Sequence, residues 1–205
     1  MDKLVYERKW IEKGCKYVAG VDEVGRGPLA GPVVCCAVIM PQDDIIEGID
    51  DSKKLSEKKR EKLYYEIKEK ALAYSICQIS QEEIDQINIL NAVKKCMTNA
   101  VNSLSIKPDI TLVDGVDTHL DINAEYIVKG DINSYTIGCA SILAKVYRDK
   151  LMIEYAKEYP EYGFEKHKGY GTKLHIESIK ENGPCKLHRK TFIKNFWGVQ
   201  ESKKQ

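Results

Sequence analysis

The sequence predicts an α/β protein in which helices pack on a mixed β-sheet. Three observations carry that expectation. Two β-type runs, 17–22 and 32–40, stand together near the start with only a short glycine-rich break between them, as in a hairpin. Further β-type runs then alternate with stretches whose apolar residues recur every three or four positions, the helical period. Hairpin strands followed by strand–helix alternation describe a mixed sheet covered by helices.

The elements follow in order. Leu4, Val5, Trp10 and Ile11 among charges predict a short amphipathic helix over 4–13. Tyr17 to Asp22 is a strand with a carboxylate at its end, and Pro32 to Met40 is a continuous apolar strand, the pattern of one covered on both faces. A tight turn through Gly25-Arg26-Gly27-Pro28 is expected between them. Ser56 opens a charged helix to Lys70 with Leu63 and Ile67 inward, and 72–79 is a third strand. Ser80 and Glu83 form a capping box, in which each side chain satisfies a backbone amide of the other residue. The long helix behind it carries Ile84, Ile87, Leu90, Val93, Met97, Val101 and Leu104, with a break near Asn88. After Pro108 come strands over 110–115 and 125–129, then a helix over 134–157. Thr172 caps a last clear helix that Gly183-Pro184 stops. The tail Lys203-Lys204-Gln205 is expected to fray.

The chain of 205 residues is long enough for one well-buried core. Its 32 basic and 31 acidic residues leave a net charge of +1, so total charge identifies no polyanionic partner. The 7 cysteines include no C-x-x-C pair and read as reduced thiols. The four histidines have no zinc-type spacing with them. His167, His175 and His188 are expected to be structural or surface residues, since nothing pairs them with a nucleophile. No secretory h-region and no run long enough for a membrane helix is present, which predicts a soluble, cytoplasmic protein.

The chemistry lies at strand ends, where open α/β sheets build their sites. Asp22-Glu23, Asp114 and Asp131 each follow a β-type run. Clustered acids repel by several kcal/mol at about 4 Å, which a divalent cation relieves; all-oxygen donors suit Mg²⁺ or Mn²⁺. Asp-Gly after a strand is also a common turn, so Asp114 alone carries little weight. The adjacent pair Asp22-Glu23 carries more. The residues by themselves point to a metal site and leave its chemistry open.

Gly25-Arg26-Gly27-Pro28-Leu29-Ala30 matches the dinucleotide-binding pattern in form only. That pattern requires a following helix whose N-terminus holds phosphate; here Pro28 and a β-run follow, with acids just before. No P-loop pattern occurs either. What remains is a loop whose backbone can approach a ligand, with a guanidinium suited to phosphate.

Several segments in the same order resemble ribonuclease HII: 19–33 (AGVDEVGRGPLAGPV), 51–56 (DSKKLS), 113–115 (VDG), 128–131 (VKGD), 140–146 (ASILAKV), 162–172 (YGFEKHKGYGT) and 188–192 (HRKTF). The resemblance runs along nearly the whole chain. It implies a ribonuclease-H-like fold with a five-stranded mixed sheet flanked by helices, comprising a core over 1–158 and a C-terminal helical extension over 159–205 within one catalytic domain. It also implies that Asp22, Glu23, Asp114 and Asp131 are catalytic and hold two Mg²⁺ or Mn²⁺ ions.

The substrate implied is an RNA/DNA hybrid or duplex DNA containing ribonucleotides, cut 5′ of the ribonucleotide to leave 5′-phosphate and 3′-hydroxyl ends. Gly25, Arg26 and Gly27 would read the ribose 2′-hydroxyl, which is what separates RNA from DNA at one nucleotide. Tyr170 would pack on the neighbouring deoxyribose, and Lys53 and Lys145 would neutralise phosphates; Lys54, Lys166 and Lys168 are further basic candidates. The protein is expected to act as a monomer. Departures from the family pattern are Ile137-Gly138-Cys139-Ala140 in place of an alanine-rich stretch, and Asn133-Ser134 where a basic residue is common. The sister family, ribonuclease HIII, adds an N-terminal substrate-binding domain and uses a different fourth acid. The closeness of Asp22 to the first residue and the Asp at 131 favour HII. A hybrid-binding module without catalysis is the alternative from another class, and the four acids weigh against it.

Overall fold

A computed structural model describes residues 2–50, 52 and 54–197. Five strands form one sheet in the order β3-β2-β1-β4-β5: β1 Val18–Val24, β2 Val33–Ile39, β3 Ala73–Ile79, β4 Ile110–Asp114 and β5 Ala124–Ile127. β1, β2 and β3 pair antiparallel, whereas β4 lies parallel to β1 and β5 parallel to β4. The sheet is mixed, as the sequence predicts. β2 is buried along its whole length, which is why its sequence runs apolar without alternation.

The helices are α1 Val5–Glu12, α2 Glu57–Lys70, α3 Gln81–Asn102, α4 Gly130–Asn133, α5 Tyr135–Glu158, α6 Phe164–His167, α7 Lys173–Asn182 and α8 Lys190–Ile193, with a 3₁₀ turn at Pro160–Tyr162. Ala19 and Val21 of β1 join Val33, Cys35, Ala37 and Ile39 of β2 against α3. The alternate residues of β2, Val34, Cys36 and Val38, face α2 and α5, as a period of two requires. Beyond α5 the chain forms a smaller cluster around Phe164, Ile179 and Leu187, packed on Ala30 and Met152.

α5 packs on the centre of the sheet, against β1 and β2. Its first turn meets β1 so closely that a Cβ at Gly20 would fall 2.5 Å from the Thr136 backbone. Its N-terminus is capped twice. Ser134 accepts from Ile137 N–H, and the buried Glu7 of α1 accepts from Ser134 Oγ at 2.6 Å and Thr136 N–H at 2.9 Å. A carboxylate there also favours the positive end of the helix dipole.

Three details differ from the sequence reading. Residues 25–32 form an extended loop, not a tight turn, because buried arginines draw its carbonyls inward (below). Ser80 does accept from Glu83 N–H, but Glu83 pairs with Lys95 at 2.7 Å instead of closing the capping box. The break at Asn88 is real, with φ +65° inside α3. All seven cysteines are free thiols. No helix among the described residues is long and apolar enough to cross a membrane. The tail 203–205 lies outside the described residues.

Candidate active site

Because β1 and β4 are parallel, their carboxyl ends lie at the same edge of the sheet. Val21 pairs with Val113, so the next residues, Asp22 and Asp114, stand side by side. Asp22 lies within hydrogen-bonding range of Ser141 on α5 and accepts from Glu23 N–H at 2.7 Å. Asp114 Oδ1 accepts from Gly130 N–H at 2.6 Å, which ties β4 to α4 and sets the adjacent Asp131. Asp22, Glu23, Asp114 and Asp131 line one cleft of about 530 Å³, together with Val24, Ser52, Arg60, Ser141, Lys145 and Tyr170.

The cleft disfavours its own negative charge. Burial raises the Asp22 carboxyl well above its ordinary range, and Glu23 and Asp114 add to the effect. Burial also raises Glu23, although Arg26, which donates to it at 3.2 Å, pulls the other way. Of the two cations that line the cleft, Lys145 is paired with Asp149 at 2.8 Å and Arg60 donates to the carbonyls of Ser52 and Leu55. A divalent cation would therefore meet oxygen donors whose charge is poorly compensated. That suits a hard ion such as Mg²⁺ or Mn²⁺. Among the described residues no three His, Cys, Asp or Glu side chains are already gathered closely enough to hold a metal ion; the acids line the walls of an open cleft.

One rim is the loop 25–32, held from behind by two fully buried guanidiniums. Arg189 donates to the carbonyls of Gly25, Arg26 and Gly31 at 2.6–3.0 Å. Arg148 donates to those of Ala30, Pro32 and Lys168 at 2.9–3.1 Å. Neither is hydrogen-bonded to a carboxylate among the described residues, and burial pulls their pKa values down to about 9 and about 10 respectively. Gly25, at φ +95°, packs so tightly on Arg148 that a Cβ would collide with the guanidinium. Beside this loop stands Tyr170, 40% exposed, with its ring 3.9 Å from where a Cβ of Gly27 would be.

The structure thus brings the four acids, Lys145 and Tyr170 into one cleft, with Gly27 against Tyr170 and Arg26 against Glu23. Arg26 is ion-paired and its side chain more than half exposed. Lys53 lies outside the described residues. Lys168 does not line the cleft: its ammonium donates to the Glu165 carbonyl. Sequence reasoning missed Ser52, Arg60 and Ser141, which also line the cleft. Ser52 and Ser141 lie in segments that carried the resemblance, and their hydroxyls meet at 3.0 Å. Arg60 sits in a run of lysines and glutamates that offers no signal. Arg148 was equally invisible, because a lone Arg in sequence reads as surface; Arg189 lies in the segment 188–192 that carried the resemblance.

A sheet of this order and mixed pairing, flanked by helices, gives the chain the ribonuclease-H-like fold. Comparison with known proteins narrows this to a family. The family model described as "Ribonuclease HII" matches residues 19–198. A ribonuclease HII from Caldicellulosiruptor bescii is 54% identical over 93% of this chain and 93% of its own. The solved ribonuclease H2 of Pyrococcus horikoshii OT3 superposes with a TM-score of 0.78 at 28% identity, covering 92% of this chain and 100% of that one. Bst ribonuclease HIII, solved in complex with Mn²⁺, shares the fold with a TM-score of 0.71 at 15% identity over 92% of this chain and 71% of its own. This chain belongs to the ribonuclease HII family and is an endoribonuclease.

Proposed function

We propose that the chain cuts the RNA strand of RNA/DNA hybrids and nicks duplex DNA on the 5′ side of embedded ribonucleotides, with Asp22, Glu23, Asp114 and Asp131 as the catalytic set. The observation that carries this reading is the convergence of all four acids on one cleft whose opposite rim holds the Gly25–Gly27 loop and Tyr170. Two Mg²⁺ or Mn²⁺ ions held by these carboxylates would supply an activated water and stabilise the leaving oxygen.

The chain's own residues do the rest. Asp114, fixed by Gly130 N–H, and Asp22, beside Ser141, keep their oxygens turned to the cleft. Arg189 draws the carbonyls of Gly25 and Arg26 inward, leaving the rest of the glycine loop to read a 2′-hydroxyl. Because that hydroxyl is read and not used as the nucleophile, the products are a 5′-phosphate and a 3′-hydroxyl, with no cyclic phosphate. Tyr170 offers an aromatic face to the neighbouring deoxyribose. Arg26, paired with Glu23, contacts phosphate once that acid is neutralised, and Lys145, paired with Asp149 at the cleft wall, offers its ammonium to a second phosphate. We take residues 1–158 as the core and the helices after it as an extension that delivers Tyr170, and the protein as a cytoplasmic monomer.

The test is an end-labelled duplex carrying one ribonucleotide, four ribonucleotides or none, incubated with Mg²⁺ or Mn²⁺. Cleavage 5′ of the single ribonucleotide, absent from all-DNA, is expected. Cutting of all-DNA at the same rate would remove the 2′-hydroxyl readout, and no cutting at all would leave a binding module.

A further inference from the structure

Three histidines that the chemistry above does not use lie buried directly beneath Tyr170. His175 is fully buried, and His188 and His167 are 3% and 9% exposed. Their hydrogen bonds determine where each proton sits. His188 Nδ1 lies 3.0 Å from the amide N–H of Cys185, 3.2 Å from its Sγ and 3.3 Å from its carbonyl; with the shortest of these made, Nδ1 accepts and His188 carries its proton on Nε2. Nε2–H then donates to His175 Nε2 at 3.0 Å. His175 is left with its proton on Nδ1, which faces the carbonyl of Tyr170 at 2.9 Å. A carbonyl only accepts, so the order of the chain has one solution. His167 is fixed separately: Nε2–H donates to the Tyr162 carbonyl at 2.8 Å, and Nδ1 accepts from Gly169 N–H at 3.2 Å.

The two histidine contacts fall on consecutive residues, the amide of Gly169 and the carbonyl of Tyr170. His167 and His175 are themselves stacked, with ring centroids 4.4 Å apart, so the turn rests on one rigid aromatic block. On its other side Gly169 accepts from Leu29 N–H at 2.8 Å, which couples it to the glycine loop. All three imidazoles are neutral in this arrangement, and burial lowers the pKa of each.

We propose that His175 is a positioning residue for Tyr170, holding its carbonyl through an Nδ1–H tautomer that His188 imposes, so that the ring is presented to the cleft at a fixed distance from Gly27. This rests on the reading of Tyr170 as a substrate contact. The effect falls on cleavage at an RNA–DNA junction, where the ring is used, more than on cleavage inside a continuous hybrid. Misplacement of a contact group by about 1 Å is enough to cost up to a hundredfold in rate.

The test uses the full chain and two duplexes, one with a single ribonucleotide and one a continuous RNA/DNA hybrid. His175→Leu removes the donor; His175→Asn places an amide N–H where Nδ1–H stood. Junction cleavage is expected to fall on the order of tenfold in His175→Leu, with hybrid cleavage much less changed and His175→Asn recovering most of the loss. On a Tyr170→Ala background, His175→Leu is expected to add nothing, since two residues acting through one contact are not additive. An equal loss on both backgrounds, or His175→Asn no better than His175→Leu, would overturn the proposal. The unmodified protein gives a second test that needs no folded variant: ¹⁵N-resolved imidazole spectra should show His175 protonated at Nδ1 and His188 at Nε2. An Nε2–H tautomer at His175 would overturn it as well. A wild-type chain that cuts neither duplex would instead remove the underlying reading, and this one with it.

Discussion

Asp22 and Asp114 occupy equivalent positions on two hydrogen-bonded parallel strands, each one residue beyond the pair Val21–Val113 at which that pairing stops. Side chains at equivalent register positions of adjacent parallel strands stand side by side, here where β4 ends and β1 runs on to Val24. Two carboxylates so placed repel, and Asp22 is raised well above the ordinary carboxyl range by burial first and by its acidic neighbours after that.

Asp22→Asn is therefore expected to separate activity from stability. Single-ribonucleotide cleavage should fall on the order of a thousandfold, the scale of losing one charge-stabilising group at a reacting centre. Without added metal the variant should melt higher than the wild type, by roughly 2–4 °C for each kcal/mol of repulsion relieved. Retained turnover, or a lower melting temperature, would count against the assignment of this acid.

Tyr170→Ala should weaken junction cleavage with little thermal effect, because the ring is 40% exposed and half-exposed side chains contribute little burial. Parallel melting curves and single-ribonucleotide assays check this; unchanged cleavage would remove the ring from the substrate site.

Gly20→Ala probes the close approach of α5 to β1. Its methyl would meet the backbone of Thr136 and Ile137, and neither can yield without moving α5. A loss of about 1–3 kcal/mol or more is expected from such overpacking, read by urea denaturation, with activity falling too because Ser141 and Lys145 ride on α5. A variant as stable as the wild type would show that the contact is looser than described.

Arg189→Lys replaces a forked guanidinium by a compact ammonium that cannot reach the carbonyls of Gly25, Arg26 and Gly31 at once, so some of these buried groups lose their donor. A deficit of about 1–3 kcal/mol per unsatisfied group predicts a lowered melting temperature. Discrimination between ribonucleotide and deoxyribonucleotide should narrow as well, since the glycine loop loses its anchor. Full stability with full discrimination would deny Arg189 that role.

The histidines also make stability depend on pH. His175 and His188 are pushed down to about 4 by burial, while the unfolded imidazole titrates near ~6.5. Between those values the unfolded chain binds more protons, so stability present above ~6.5 is lost as pH falls toward ~4 and flattens below. No carboxylate is among the groups that shift them; backbone groups, His167 and each other surround them. The raised carboxyls of Asp22 and Glu23 act in the opposite sense. The double variant His175→Asn/His188→Asn isolates the imidazole contribution: its stability should fall less than that of the wild type between pH 7 and pH 4.5.

How far the sequence carries depends on whether a feature is local. The run Val33–Ile39 announces a strand buried on both faces because burial removes every polar alternation from it. Caps at Ser56, Ser80 and Thr172 are legible because the acceptor lies three residues from its amide. The acids after β-runs are legible as candidates for the same reason: their cost is visible against the apolar residues beside them.

What the sequence by itself determined is the strand and helix pattern, the mixed α/β class and the list of acids. The order of segments from 19 to 192 determined the family resemblance. Tertiary structure alone decided that Asp22 and Asp114 are neighbours, that Arg189 reaches back to Gly25 and that Gly27 lies against Tyr170. Those relationships join residues far apart in the chain, and nothing in the spacing of a linear sequence records them. They arise from strand register and from helices closing over the sheet, where long-range packing decides which polar groups must share a buried space.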